Sequence, residues 1–198
     1  MKKVPIVALL LALLVPMQAS AATIVVNDVF PSGDLVHMWA VQVNGSGQFS
    51  ASTAGSGFYT ELFLFDADWY GLQANANLTQ TFPNDYSYLP PVSLLPGTYI
   101  VAVAKAGQMP YSAQGLIFPT VPPTGVRGPT GPGGGQPLAY WSGGDWASYD
   151  LDLKLTMTGI APDPQPIGTV PEPASMTLIG TGLLGLAARL RRGRRRQA

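Results

Sequence analysis

Tyr149-Asp150-Leu151-Asp152-Leu153-Lys154-Leu155-Thr156-Met157-Thr158 alternates apolar and polar side chains without a break. Successive side chains of a strand point to opposite faces. Tyr149, Leu151, Leu153, Leu155 and Met157 therefore share one face, and Asp150, Asp152, Lys154 and Thr156 the other. One face suits a core and the other water, as in a half-buried strand of an antiparallel sheet. Leu35 to Val43 alternates too, with Leu35, His37, Trp39, Val41 and Val43 on one side. Tyr59 to Phe65 is rich in aromatic residues and leucine and stops at Asp66-Ala67-Asp68. Thr98 to Lys105 is the clearest strand of the chain, entered through the turn residues Leu95-Pro96-Gly97. Thr23 to Val26, Gln48 to Thr53 and Leu72 to Leu78 are shorter candidates. Many short strands, abundant turn residues and no sustained 3.6-residue period predict an all-β fold, an antiparallel β-sandwich.

The domain so predicted spans residues 22–160, enough chain for one hydrophobic core. Two stretches interrupt the strand pattern. Residues 118–144 carry Gly and Pro at high density, including Gly131-Pro132-Gly133-Gly134-Gly135. They are too many for a sandwich turn and are read as a surface loop. Residues 161–169 are Pro-rich and are read as an extended spacer.

The formal net charge of zero conceals a strong asymmetry. Between Thr23 and Pro173 stand all eleven acidic side chains but only three basic ones, Lys105, Arg127 and Lys154, a net charge of −8. Such a body lacks the clustered cations that nucleic acid or anionic lipid requires. There are no cysteines, which excludes disulfide staples, thiolate catalysis and Cys-ligated metal centres.

The remaining basic residues sit at the two ends. Lys2 and Lys3 precede an apolar core, Val4 to Val15, and the small residues Ala19-Ser20-Ala21. That order predicts a signal peptide over 1–21, removed by signal peptidase after passage through the general secretion machinery. The other end, residues 170–198, reads Val170-Pro171-Glu172-Pro173, then 15 residues from Ala174 to Ala188 that are largely apolar, then six arginines between Arg189 and Arg196. The prolines hold the backbone extended. The apolar run is short of the roughly 20 residues of a full span, so it crosses as a transmembrane helix only if Leu190 and the arginine stems extend it. The arginines stay on the cytoplasmic side.

Motif, short apolar helix and Arg-rich end together resemble the PEP-CTERM signal of Gram-negative bacteria. The resemblance implies recognition of Pro171, Glu172 and Pro173 by an exosortase, a membrane enzyme that cuts near them. It also implies transient anchoring in the inner membrane, delivery to the cell surface, outer envelope or medium, and a link to exopolysaccharide and biofilm. A second resemblance covers roughly Asp28 to Thr158. Gly33-Asp34 leading into Leu35 to Val43, then Glu61 to Asp68, then Leu94 to Val103 is similar to the bacterial pre-peptidase C-terminal domain group, which are jelly-roll-like β-sandwiches. The long Gly/Pro insertion and Asn75-Ala76-Asn77, where the group has an acidic pair, depart from that pattern.

Candidate chemistry is sparse. His37 is the only histidine, on a strand face shared with Trp39 and Val41, and reads as structural. No serine lies in a Gly-x-Ser-x-Gly elbow. Asp66 and Asp68 sit at a strand-to-turn junction, where Asp side chains bond to their own backbone. With Asp85 they are also the candidate donors for calcium, which needs six to eight oxygens. Trp69, Tyr70, Trp141 and Trp146 fall in or beside predicted loops, where rings stack on sugars or plug the ends of a core. The expectation is a non-enzymatic, structural or adhesive surface protein, without a cofactor unless calcium binds. A carbohydrate-binding module using the loop aromatics is the alternative, and a secreted hydrolase built on Asp66 and Asp68 the next.

Overall fold

The computed structural model of the chain describes residues 22–45, 48–76, 86–120, 125–143 and 150–167. The predicted signal peptide, Asp85, Trp146 and residues 170–198 lie outside these. Thirteen strands follow one another among the described residues: β1 (Thr23–Phe30), β2 (Val36–Val43), β3 (Gln48–Ser52), β4 (Thr60–Asp66), β5 (Gly71–Ala76), β6 (Tyr88–Ser93), β7 (Gly97–Lys105), β8 (Met109–Ser112), β9 (Gly115–Leu116), β10 (Gly125–Arg127), β11 (Tyr140–Ser142), β12 (Leu151–Thr158) and β13 (Gln165–Ile167). Their ladders are all antiparallel.

A six-stranded sheet, ordered β10-β5-β4-β7-β2-β13, faces a four-stranded one, ordered β1-β12-β3-β6. The alternating strand sits as its pattern requires. In β12, Leu151, Leu153, Leu155 and Met157 point into the core between the sheets, while Asp152 and Lys154 face water. Trp39, Val41 and Val43 of β2, Leu62 and Leu64 of β4, and Val101 and Val103 of β7 meet them from the larger sheet. The expectation of an antiparallel, sandwich-like all-β fold holds at this level.

The larger sheet has a second buried face. Phe63 and Phe65 of β4, Ile100, Ala102 and Ala104 of β7, Ala74 of β5 and Met38 of β2 pack under Met109, Ile117, Phe118 and Leu138. A third sheet, ordered β11-β8-β9, carries that cover. The molecule thus has three layers, and β4 and β7 are buried on both faces. Strands in that position read as near-continuous apolar runs, as Leu62-Phe63-Leu64-Phe65 and Tyr99-Ile100-Val101-Ala102-Val103-Ala104 do. Small residues make room for large ones: Phe63 lies between Ala74 and Ala102 across the ladder.

Two readings of irregular chain are corrected. The described residues of 118–144, read above as a surface loop, contribute β10 and β11, and Phe118 and Leu138 among them cover the second core. The glycines let the backbone close in: Gly131 N–H donates to Ile117 O at 3.0 Å and Gly133 N–H to Leu116 O at 2.9 Å. A side chain on Gly134 would run into the carbonyl of Pro129. Gly71 serves the same layer, since a β-carbon there would lie 2.7 Å from both Ile117 and Phe118. Composition marked these residues as turns, but not that the turns are packed. The described part of the spacer, residues 161–167, is also placed in the fold. Ala161 N–H donates to Gln42 O, and β13 then pairs with β2 at the sheet edge, Gln165 opposite Ala40 and Ile167 opposite Met38. Pro166 fits there because an edge strand leaves alternate N–H positions unpaired.

Candidate functional site

Asp66 ends β4 and begins a tight turn. Its Oδ1 accepts hydrogen bonds from the N–H groups of Asp68 at 3.0 Å and Tyr70 at 2.9 Å. Asp66 N–H in turn donates to Tyr70 O. The turn holds Trp69 at φ 68°, a left-handed conformation uncommon for an aromatic residue. Asp66 is thus used by its own backbone, and Asp68 points to water. Among the described residues no group of three His, Cys, Asp or Glu side chains is placed to hold a metal ion. Asp66→Ala should remove both hydrogen bonds and cost about 1–3 kcal/mol, at about 0.5–1.5 each. Asp66→Asn, which keeps an Oδ1 acceptor, should cost much less, and urea unfolding of the two variants checks this.

The structure brings Trp69 and Trp141 into one cluster. Trp141 meets Phe63 edge-on at 5.3 Å and Phe65 at 6.2 Å between ring centroids, and Trp69 lies 6.5 Å from Phe65. Both indoles are half-buried against the second core. Tyr70 is 40 % exposed at the rim, bridged to Pro137. Tyr140, 51 % exposed, stacks on Tyr111 at 5.3 Å.

His37 lies against Phe30, ring on ring, at 4.0 Å. Its Nδ1 is 2.7 Å from Asp28 Oδ2, and its Nε2 is 3.7 Å from Asp34 Oδ2. Both ring nitrogens therefore face carboxylates, and the ring pins the β1–β2 connection to the end of the core.

Sequence reasoning missed the buried charges. Glu61 and Arg127 are only 7 % and 6 % exposed, on the sheet face that the third layer covers. Glu61 Oε1 accepts a 3.0 Å hydrogen bond from Gly107 N–H. Burial pushes the Glu61 carboxyl above the usual carboxylate range, opposed by that hydrogen bond and by the Arg127 charge. Burial likewise lowers Arg127, and Glu61 opposes it. Arg127 Nη1 donates to Pro119 O at 2.5 Å, while Glu61 Oε2 and Arg127 Nε and Nη2 find no hydrogen-bond partner among the described residues. Lys105, 2 % exposed, holds its ammonium 5.8 Å over the Phe30 ring, a cation–π distance. The available signal was that Lys105 and Arg127 are two of only three basic residues in the acidic body. A shielded acid and guanidinium suit a structural role better than contact with a substrate.

The remaining site candidate is the C-terminal motif. Residues 169–192 match the PEP-CTERM protein-sorting motif, which covers Pro171, Glu172 and Pro173 and begins two residues after β13 ends. No curated protein and no solved structure matches the chain. The resemblance to pre-peptidase C-terminal domains therefore gains no support from them.

Proposed function

We propose that this chain, a carrier of the PEP-CTERM sorting motif and so an exported substrate of an exosortase, is a non-enzymatic structural or adhesive component of the cell envelope or extracellular matrix. The motif at residues 169–192 carries the reading. Pro171, Glu172 and Pro173 are the recognition element, the apolar segment holds them at the membrane face, and the arginines fix orientation. The jelly-roll-like domain is the delivered cargo, and exopolysaccharide is its expected surrounding.

Several observations favour a structural cargo over an enzyme. His37 is flanked by carboxylates, Asp66 is consumed by its turn, and Glu61 is shielded. A delivered chain of net charge −8 between Thr23 and Pro173 would meet neutral polysaccharide more readily than acidic polysaccharide.

Intact mass of the protein from envelope and medium of its native host tests the proposal. The expected chain starts near Ala22 and ends near Pro173, with or without an added group. Replacing Pro171, Glu172 and Pro173 together by alanine should retain the chain through Ala198 and abolish surface delivery. A wild-type chain that keeps Ala198 would overturn the assignment. The exposed rings of Tyr70 and Tyr140 favour carbohydrate binding as a second reading. It expects glycan-array signal that falls on Tyr70→Ala or Tyr140→Ala, and silence from every glycan would remove it.

A further inference from the structure

A strand at the edge of a sheet offers unpaired backbone groups to another chain, and proteins blunt such edges with proline, short length or bulges. Among the described residues every sheet edge but one is blunted. β10, β11 and β13 are three residues long and β9 two. β13 also holds Pro166, and β6 holds Pro90 and Pro91. β1 is the exception. It runs for eight residues without proline or glycine, and it pairs with β12 without a register shift. Its other side borders no strand among the described residues.

The backbone groups that this edge presents follow from β12. Asp152 O accepts from Gly57 N–H, and Lys154 N–H donates to Ser56 Oγ, so these residues turn their backbone groups away from β1. β12 therefore bonds β1 through Leu151, Leu153, Leu155 and Met157, opposite Phe30, Asp28, Val26 and Ile24. The backbone groups of Thr23, Val25, Asn27 and Val29 point outward. Asp28 Oδ1 holds the Val29 N–H at 2.8 Å and guards that one position. The side chains of Val25 and Val29 are 48 % and 45 % exposed, on one face of the strand, with Asn27 between them. Asp28 is the only charged residue of β1, and its Oδ2 is turned to His37 Nδ1, so two acidic molecules can approach along this edge.

The strand is complementary to itself. In an antiparallel pair of β1 strands the outward-pointing residues must face one another. A two-fold axis at Asn27 sets each Val25 opposite Val29 of the second copy, and Asn27 opposite its own copy. Both exposed valines are then covered by valine, and the Asn27 amide, donor and acceptor at once, meets its like. An axis at Val25 would place Val29 beyond the start of the facing strand, and one at Val26 would set Val25 against Asn27. We propose that β1 is a self-association edge: two copies of the chain join their smaller sheets into one by antiparallel pairing of β1 with β1 about Asn27. The contact is isologous and closes as a dimer. A single strand edge buries little area, so the dimer is weak and forms as concentration rises. The inference goes beyond the sorting assignment and stands without it.

The chain has no cysteines, so an introduced one reports the register. Protein purified from its native host should show a weight-average mass that climbs from monomer toward dimer across a sedimentation concentration series. Asn27→Cys should cross-link to its own copy under mild oxidation, because bonded pairs of an antiparallel ladder lie about 5.5 Å apart between Cα atoms, within disulfide range. Thr23 is also exposed on the same strand but falls far from its own copy, so Thr23→Cys should cross-link about tenfold less. Val25→Lys with Val29→Lys should abolish the dimer by setting like charges opposite each other. Val25→Lys with Val29→Glu should restore it, since each new lysine then faces a new glutamate. Circular dichroism checks that each variant is folded, and the cysteine pair decides the matter if a charged variant is not. A wild-type chain that stays monomeric at every concentration, or equal cross-linking at the two positions, would overturn the proposal. So would a folded Lys/Glu variant that associates no better than the folded double lysine variant.

Discussion

Phe63→Ala is expected to lower stability by about 3–5 kcal/mol, the range for deleting a buried ring. Phe63 is fully buried in the middle of β4, beneath Phe118 at 5.7 Å and Trp141 at 5.3 Å. Its neighbours across the ladder are Ala74 and Ala102, too short to fill the space left behind. The cover itself is held by tight glycine turns, which limits its ability to settle into the cavity. Urea unfolding should show the full loss. The near-ultraviolet circular dichroism of Trp141 should weaken as its edge contact disappears. Leu62→Ala, on the opposite face of the same strand, should cost about 2–5 kcal/mol but leave the Trp141 signal nearly unchanged. A loss near zero for Phe63→Ala would mean that the third layer is not part of the cooperative fold.

Arg127→Met is the second large effect, and it depends on pH. Glu61 and Arg127 are buried charges that feel each other without an ion-pair contact, so removing Arg127 leaves an ionised Glu61 less compensated, at a cost of about 1–3 kcal/mol. Glu61 can escape part of that cost by taking up a proton, which burial already favours. Because its folded pKa is raised, Glu61 contributes stability fully below the ordinary carboxylate range. That contribution is lost as pH rises through the raised folded value. Without Arg127 the folded value rises further, so the window of declining stability extends to higher pH. Unfolding midpoints of the variant should therefore fall more steeply than those of wild type as pH rises from the ordinary carboxylate range through the raised folded value of Glu61. Glu61→Gln has no proton to lose and should flatten the slope, alone and combined with Arg127→Met. Equal slopes for all four proteins would show that the two groups do not sense each other.

The strands that periodicity or composition marked are those with several consecutive side chains committed to a core. β12 was legible because one of its faces is wet, and β7 because both of its faces are dry. β1 extends beyond the expected Thr23 to Val26, through Phe30, because β12 offers it a partner along its whole length. β6 went unread because Pro90 and Pro91 stand within it, which an edge strand tolerates. β8 to β11 and β13 are two to four residues long, too short for any period to register. Their positions come from backbone hydrogen bonds and a few anchors, Phe118, Leu138, Trp141 and Ile167, which look unremarkable among glycines and prolines. The candidate site divides in the same way. The sorting motif was fully legible because it is a linear signal read along the chain. Glu61 and Arg127 were not, since they lie far apart in sequence and come onto one sheet face only through the ladders β4–β5 and β5–β10.

The pairing of β1 with β12 has a consequence for timing. Thr23 lies opposite Thr158, and Phe30 opposite Leu151, so the first strand finds its mate only near the end of the domain. A chain threading a membrane N-terminus first has that strand outside long before its partner emerges. The smaller sheet cannot close early, and folds dominated by such distant pairings form slowly. The polypeptide can therefore remain extended through transit, which a narrow pore demands, and collapse only when the last strands are through. On the sorting route proposed above, the C-terminal end is then still anchored, and the protein would complete its folding as a leashed molecule.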